Sequence, residues 1–375
     1  MQSRARVDLS AFLSAWRTTT LHDREVVDAL IHPAHAGPSP ALLAALAHWP
    51  GRYYWSEEAG GRHLILTRRV APPRRERWVL HAGLFLATLL TTTFAGAVFA
   101  GAIPYDNPLG LFTGDYPIPP GFARAWMSGL TFSLPLLAIL LCHELGHCVT
   151  ARWYQLDVSP PYFIPVPLVP SFIGTMGAFI RLRTILADRR QLLDVGVAGP
   201  LAGFAVALPA LWIGLAWSHP LPGHGALSGM LLGVGGETVG LGDSLLTLAL
   251  RRLTHGSAPV LLLNPLAFAG WVGMLVTMLN LLPVSQLDGG HILYAARPRE
   301  HAGIARAFWI LILVLGWYWR GWLLWGLLVL GLSRGRLGHP PVLDAYRPMP
   351  HSRRPLAWAA LVLLVITFAP VPFHI

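Results

Sequence analysis

Apolar positions fall into long runs from Trp78 onward, whereas the first 78 residues of this 375-residue chain mix apolar and polar positions over short windows. In that first stretch, residues 7–16 and 25–31 show the apolar spacing of amphipathic helices. Tyr53-Tyr54-Trp55, then Glu57-Glu58-Ala59-Gly60-Gly61, then Leu64-Ile65-Leu66-Thr67 reads as a hairpin closed by a Gly-Gly turn. Residues 1–78 are therefore expected to form a small soluble α+β domain, ended by Pro72-Pro73-Arg74-Arg75. A membrane span needs about 20 mostly apolar residues. Residues 78–103, 126–149, 192–217 and 260–282 qualify; 305–318 and 321–332 are shorter, and 356–371 closes the chain. The pattern predicts a polytopic α-helical membrane protein of about six or seven spans. Its membrane core covers residues 79–295, and further transmembrane segments cover 296–375.

Composition narrows this picture. Only 12% of residues are charged and 54% are hydrophobic, against about 25% charged in soluble domains. The net charge is nonetheless +10, and all 28 cationic residues are arginine. Beyond the N-terminal domain, loops on its side of the spans carry 13 arginines, and the opposite loops carry four: Arg124, Arg251, Arg252 and Arg320. Positive-inside bias then places the N-terminal domain in the cytoplasm, and the expected location is a bacterial inner membrane. The basic balance needs no nucleic-acid partner. Cys142 and Cys148 are too few for a disulfide scaffold and read as small buried residues.

Chemistry enters at the end of the second span. His143-Glu144-Leu145-Gly146-His147 places two imidazoles four residues apart, on one helix face. Such a pair can bind one Zn²⁺, with the glutamate as general base toward water. Ionisable residues inside a membrane helix are costly and point to function, although a wet helix end could also hold them as caps. A catalytic zinc needs a third protein ligand. Asn280-Leu-Leu-Pro283-Val-Ser-Gln-Leu287-Asp288-Gly289-Gly290-His291 ends the fourth long span, which runs in the same direction. Asp288 can be that ligand. Pro283 and the glycines break the helix, which a membrane tolerates where backbone lines a cavity. Asn280, two turns earlier, can donate to a substrate carbonyl or an oxyanion.

These motifs, with Gly199-Pro-Leu-Ala-Gly203 on the third span, resemble the site-2 protease family of intramembrane zinc metalloproteases. The resemblance covers roughly residues 80–295 and is nearest the compact bacterial and chloroplast members that carry an extra N-terminal domain. It implies one zinc ion held by His143, His147 and Asp288, Glu144 as catalytic base, and Asn280 as an aid to substrate or transition state. It also implies hydrolysis of peptide bonds in or near a transmembrane segment of a membrane-protein substrate, of single-span type, within the lipid bilayer. No PDZ-sized insertion separates the motifs, so the N-terminal domain is the expected regulatory part.

The proline-rich stretch 160–170 cannot be helical, and residues 171–183 read as an extended, glycine-punctuated strand. An edge strand beside the metal could add an unwound substrate as another strand. The family is thought to use a re-entrant β-hairpin in this way. Gly174, Gly177 and Phe179, with Pro283, are the candidate substrate contacts. Gly196, Gly199 and Gly203 read as close helix packing through small residues. The glycine-rich stretch 233–242 reads as an outer loop with solvated Glu237 and Asp243, and Trp317, Trp319 and Trp322 as an interfacial belt. His291 is either a hydrogen-bond donor to Asp288 or a surface residue. Two other functions fit parts of the pattern: a membrane metal transporter, and a non-proteolytic scaffold that binds zinc. Against transport, the polar residues cluster at one depth instead of lining a route.

Overall fold

The computed structural model describes residues 9–21, 24–35, 39–58, 61–69, 76–102, 121–166, 173–184, 186–221, 229–234, 237–256, 260–340, 342 and 348–374. Its N-terminal region is rich in strand. β1 (Leu13–Leu21), β2 (Arg24–Ile31), β3 (Gly51–Glu58) and β4 (Gly61–Arg69) form an antiparallel sheet in the order β1-β2-β4-β3. Residues 13–16 and 25–31, which apolar spacing assigns to helices, are strands. Over windows this short the two periods are hard to separate, and β-branched Thr18, Thr19, Val26 and Val27 favour the pleat. The hairpin read around Gly60-Gly61 is present as β3 and β4, with Tyr53 opposite Leu66 and Trp55 opposite Leu64. One helix, α1 (Pro40–Ala47), starts where Ser39 accepts from the Leu42 amide and Pro40 occupies the first turn. Its Leu42 and Leu46, one turn apart, close the core formed with Leu9, Ile31, Leu64 and Leu66.

The remainder is mainly helical. α2 (Trp78–Phe99) is followed by α3 (Phe122–Ser128) and α4 (Leu130–Trp153), then α5 (Arg189–Ala216). Trp78–Phe99, Phe122–Trp153 and Arg189–Ala216 are each long and apolar enough to cross a membrane. Next come α6 (Leu245–His255), α7 (Pro265–Leu281), α8 (Asp288–Ala296), α9 (His301–Leu315), α10 (Gly321–Leu332) and α11 (Arg354–Thr367). α5 is the central helix, packed on α4, α7 and α8. Phe94, Phe132, Leu211, Phe268 and Met274 fill the space between α2, α4, α5 and α7. Outward, Leu86, Leu90, Leu134, Trp212 and Trp358 are each more than half exposed. So broad an apolar exterior is that of a protein whose solvent is lipid.

Two short sheets complete the chain. β5 (Tyr162–Pro165) and β6 (Thr175–Phe179) form an antiparallel pair beside α2 and α4. The turn between them, residues 167–172, lies outside the described residues. β7 (His219–Pro220), β8 (Gly229–Val234), β9 (Glu237–Leu241), β10 (Val260–Leu262) and β11 (Phe373–His374) form a five-stranded sheet in the order β11-β9-β8-β10-β7. Four expectations change here. The glycine-rich stretch read as a loop is strand pair β8–β9. The helix read from residue 260 starts at Pro265, because Val260–Leu262 pairs with β7 and β8, and Asn264 caps the helix. Asp243 is not merely solvated: it accepts from Thr247 at 3.1 Å and from Arg251 at 2.9 Å. Trp322, read as an interfacial residue, is fully buried, and its Nε1 donates to the Pro370 carbonyl at 2.7 Å, whereas Trp317 is exposed.

Candidate metal centre

α4 carries His143, Glu144 and His147 in its second half, and all three are buried. The break after α7 turns the chain through residues 282–287 and delivers Asp288 as the first residue of α8. The turn is held from outside: the Ser285 amide donates to the Leu337 carbonyl at 3.0 Å and its hydroxyl to the Arg336 carbonyl at 3.2 Å. Ser285 sits at φ +53°, a left-handed conformation uncommon for a side-chain-bearing residue.

The three candidate ligands meet. His143 Nε2 and His147 Nε2 lie 3.2 and 3.3 Å from Asp288 Oδ2, and 3.2 Å from each other. Ligand atoms about 2.0–2.1 Å from a tetrahedral ion are roughly 3.3–3.4 Å apart, so the donor set fits a small tetrahedral cation. The tautomer agrees. His147 Nδ1 donates to the Val195 carbonyl at 2.7 Å, which in the neutral ring leaves Nε2 as a lone pair toward the centre. Two imidazole lone pairs and a carboxylate oxygen this close repel one another unless a cation lies between them. His143, His147 and Asp288 form the one such group of possible metal ligands among the described residues.

α5 makes this approach possible. A Cβ on Gly199 would lie 2.0 Å from His147 Nε2, and one on Gly203 would lie 3.1 Å from the Cβ of His143. The small-residue face of GPLAG is thus helix packing, and what it packs against is the two imidazoles. Gly289 serves the third ligand: a Cβ there would lie 1.9 Å from the Leu281 carbonyl oxygen, so only glycine lets the start of α8 fold back on α7. The GPLAG spacing was the available signal for the first contact; Val195, a backbone partner, left none.

The remaining candidates spread around this centre. Asn280, at the end of α7, brings Nδ2 to 3.4 Å from His143 Nε2. Glu144 lies against the backbone of Ile180, the residue after β6. Gly177 (φ +98°) has open space where a side chain would be, and Phe179 is half exposed and stacked on Tyr162 with ring centroids 5.3 Å apart. Gly174 faces α2 instead, its carbonyl accepting from Thr91 at 2.7 Å. Pro283 is buried and lines a cavity between α8, α9 and α11. The four are not one surface. His291 turns from Asp288 to His339, Nδ1 to Nε2 at 2.7 Å. Cys148 is buried and its thiol faces the Ser159 carbonyl at 3.5 Å.

Comparison with known proteins agrees with this arrangement. Residues 131–315 match the model of Peptidase family M50. The chain is 32% identical over 251 residues to "Probable zinc metalloprotease EGY1, chloroplastic" of Arabidopsis thaliana, covering 65% of this chain and 43% of that protein. It is 35% identical over 179 residues to "Probable zinc metalloprotease EGY2, chloroplastic" of the same plant, covering 46% of this chain and 30% of that protein. The chain thus spans less than half the length of these relatives. No solved structure matches it. The matched segment holds both imidazoles, the glycine face that receives them and the carboxylate that completes the set, so that residues 131–315 carry a domain of Peptidase family M50, the site-2 protease family.

Proposed function

We propose that this protein is an intramembrane zinc metalloprotease that hydrolyses a peptide bond in or near a transmembrane segment of a membrane-protein substrate. The convergence of His143 Nε2, His147 Nε2 and Asp288 Oδ2 within 3.3 Å, with buried Glu144 beside the first of them, carries this reading. His143, His147 and Asp288 hold one zinc ion. When bound, zinc supplies Lewis-acid chemistry, acidifying water and polarising a carbonyl oxygen. Glu144 accepts a proton from the attacking water and returns it to the leaving amine. Asn280 Nδ2 donates to the oxygen on which negative charge develops. Val195 fixes His147 through its carbonyl, and the packed faces of α4, α5 and α7 keep bulk water away.

The substrate has to be unwound, because helical amides are inaccessible. The pair β5–β6 enters the membrane as a re-entrant hairpin, and the outer edge of β6, near Gly177 and Phe179, receives the extended substrate as a further strand. The proximity of Glu144 to Ile180 supports this, since it puts that edge beside the catalytic base. The apolar runs support six or seven spans, placed in a bacterial inner membrane, and the arginine distribution supports an orientation with residues 1–78 and the metal end facing the cytoplasm. Residues 1–78 act as a regulatory domain, residues 79–295 as the catalytic core, and residues 296–375 as supporting membrane segments. A single-span membrane protein is the substrate.

The deciding experiment uses Glu144→Gln in the full chain with a reporter transmembrane substrate. The variant should retain zinc at wild-type stoichiometry and lose cleavage. Undiminished cleavage would overturn the mechanism.

A further inference from the structure

A cavity of about 990 Å³ lies between the start of α5, α8, the start of α9 and the start of α11, and none of His143, His147 or Asp288 lines it. Four arginines line it: Arg189, Arg297, Arg299 and Arg354. Glu300 is the one acidic residue among its lining groups, and it already faces Arg297 at 3.8 Å. Arg299 and Arg354 make no ion pair among the described residues. The rest of the wall is different in kind, built from Leu281, Ile292, Phe308, Leu361 and Leu364. The flanking face of α11 continues outward through Trp358, which is 64% exposed and lines the same cavity.

From this we infer that the cavity is a binding site for an anionic phospholipid of the surrounding bilayer. Charge complementarity selects the occupant. Three guanidinium charges in excess over carboxylate are suited to a phosphate-bearing, net negative headgroup, which guanidinium groups bind through paired N–H donors. A free anion has no use for the apolar wall, and a transmembrane helix has no use for four arginines. A diacyl lipid uses both: headgroup at the arginines, acyl chain along Phe308, Leu361 and Leu364. The volume is at the upper end of the roughly 300–1,000 Å³ of ordinary ligand pockets, enough for a headgroup and the first part of a chain. Basic pockets between helices at one membrane face are recognised lipid sites. The ends of α5, α7, α9 and α11 converge here at a single end of the bundle, as such a site requires. The lipid then bridges α8, which begins with Asp288, to α9 and α11. The inference needs the chain to lie in a membrane and is independent of its catalysis.

The test is lipid retention by the full-length protein, purified in neutral detergent and read by native mass spectrometry. Phosphatidylglycerol and phosphatidylcholine are offered at equal concentration. Wild type should retain phosphatidylglycerol in preference. Arg299→Gln with Arg354→Gln should weaken retention by about thirtyfold, from the usual contribution of an arginine near an anionic lipid. Ala357→Phe, which fills the apolar wall and leaves every charge, should also weaken it. Arg320→Gln with Arg334→Gln, matched in charge and away from the cavity, should leave it unchanged. Equal retention of the two lipids would overturn the inference, as would wild-type retention by the double variant. Displacement of the lipid by millimolar inorganic phosphate, or by a synthetic apolar transmembrane peptide, would overturn it too. The wild-type comparison of the two lipids stands even if a variant fails to fold.

Discussion

The imidazole of His147 occupies the space that a side chain on Gly199 would fill: a Cβ there would meet Nε2 at 2.0 Å. The ring cannot step aside freely, since its Nδ1 is bonded to the Val195 carbonyl at 2.7 Å and the residue is buried. Gly199→Ala should therefore lower zinc affinity by about 10–100-fold, the usual effect of disturbing the support of a metal ligand. Zinc titration of the purified variant checks this. Gly203→Ala, with its nearest contact at 3.1 Å, should do less. Unchanged zinc affinity in Gly199→Ala would mean that His147 is not held as described.

Asp288→Ala should empty the centre even with both imidazoles in place, because two neutral nitrogens lack the anionic third ligand. Metal content by elemental analysis gives the answer, and full occupancy would reject Asp288 as a ligand. Gly289→Ala should produce part of the same loss through a backbone clash with Leu281, 1.9 Å from the added carbon.

Glu76 and Arg183 form a two-pronged ion pair, 2.6 and 3.0 Å, joining the approach to α2 with the chain that leaves β6. The hydrogen bonds from Arg183 hold the Glu76 carboxyl below its ordinary value of 4.5. A depressed carboxyl stabilises the fold above its unfolded value and loses that effect as pH falls through the lower folded value. Melting temperature should hold from neutrality to about pH 4.5 and fall below it. Glu76→Gln should melt lower at neutral pH and lack this part of the acid response. An identical acid profile in that variant would remove the pair from the account.

Asp194, near the start of α5, accepts from the Tyr154 hydroxyl at 2.5 Å and pairs with Arg353 at 3.0 Å. It ties the end of α4 to the start of α11. Asp194→Asn should cost about 1.5–3 kcal/mol, the range for hydrogen bonds to a charged group. Thermal melts in detergent should show it, with zinc stoichiometry unchanged at low temperature.

The metal centre was legible because its chemistry is written locally. A four-residue spacing on a helix fixes the face shared by His143 and His147, and the Pro283 to Gly290 stretch announces a helix break with a carboxylate in it. What brings the two together was less legible. GPLAG shows small residues, and nothing in those letters says that the partner is a pair of imidazoles. Backbone partners such as Val195, Arg336 and Leu337 leave no trace in side-chain identity. The long helices follow from apolar length. β1 and β2 read as helices because few positions decide between periods over so short a window, and because β2, a central strand, can carry apolar residues on both faces. Val260–Leu262 was absorbed into a helix since its apolar run continues into α7 with only Asn264 and Pro265 to mark the boundary.

The hydrogen bonds from Ser285 to the carbonyls of Arg336 and Leu337 reach a part of the chain that the family match, ending at residue 315, leaves out. Resemblance and self-sufficiency therefore have different limits in this protein. A chain cut after residue 315 keeps every ligand and loses the brace on the turn that aims one of them. The stretch after α10 acts as a splint for the turn that carries Asp288, and it does so through the path its backbone takes past Ser285, whatever side chains it bears.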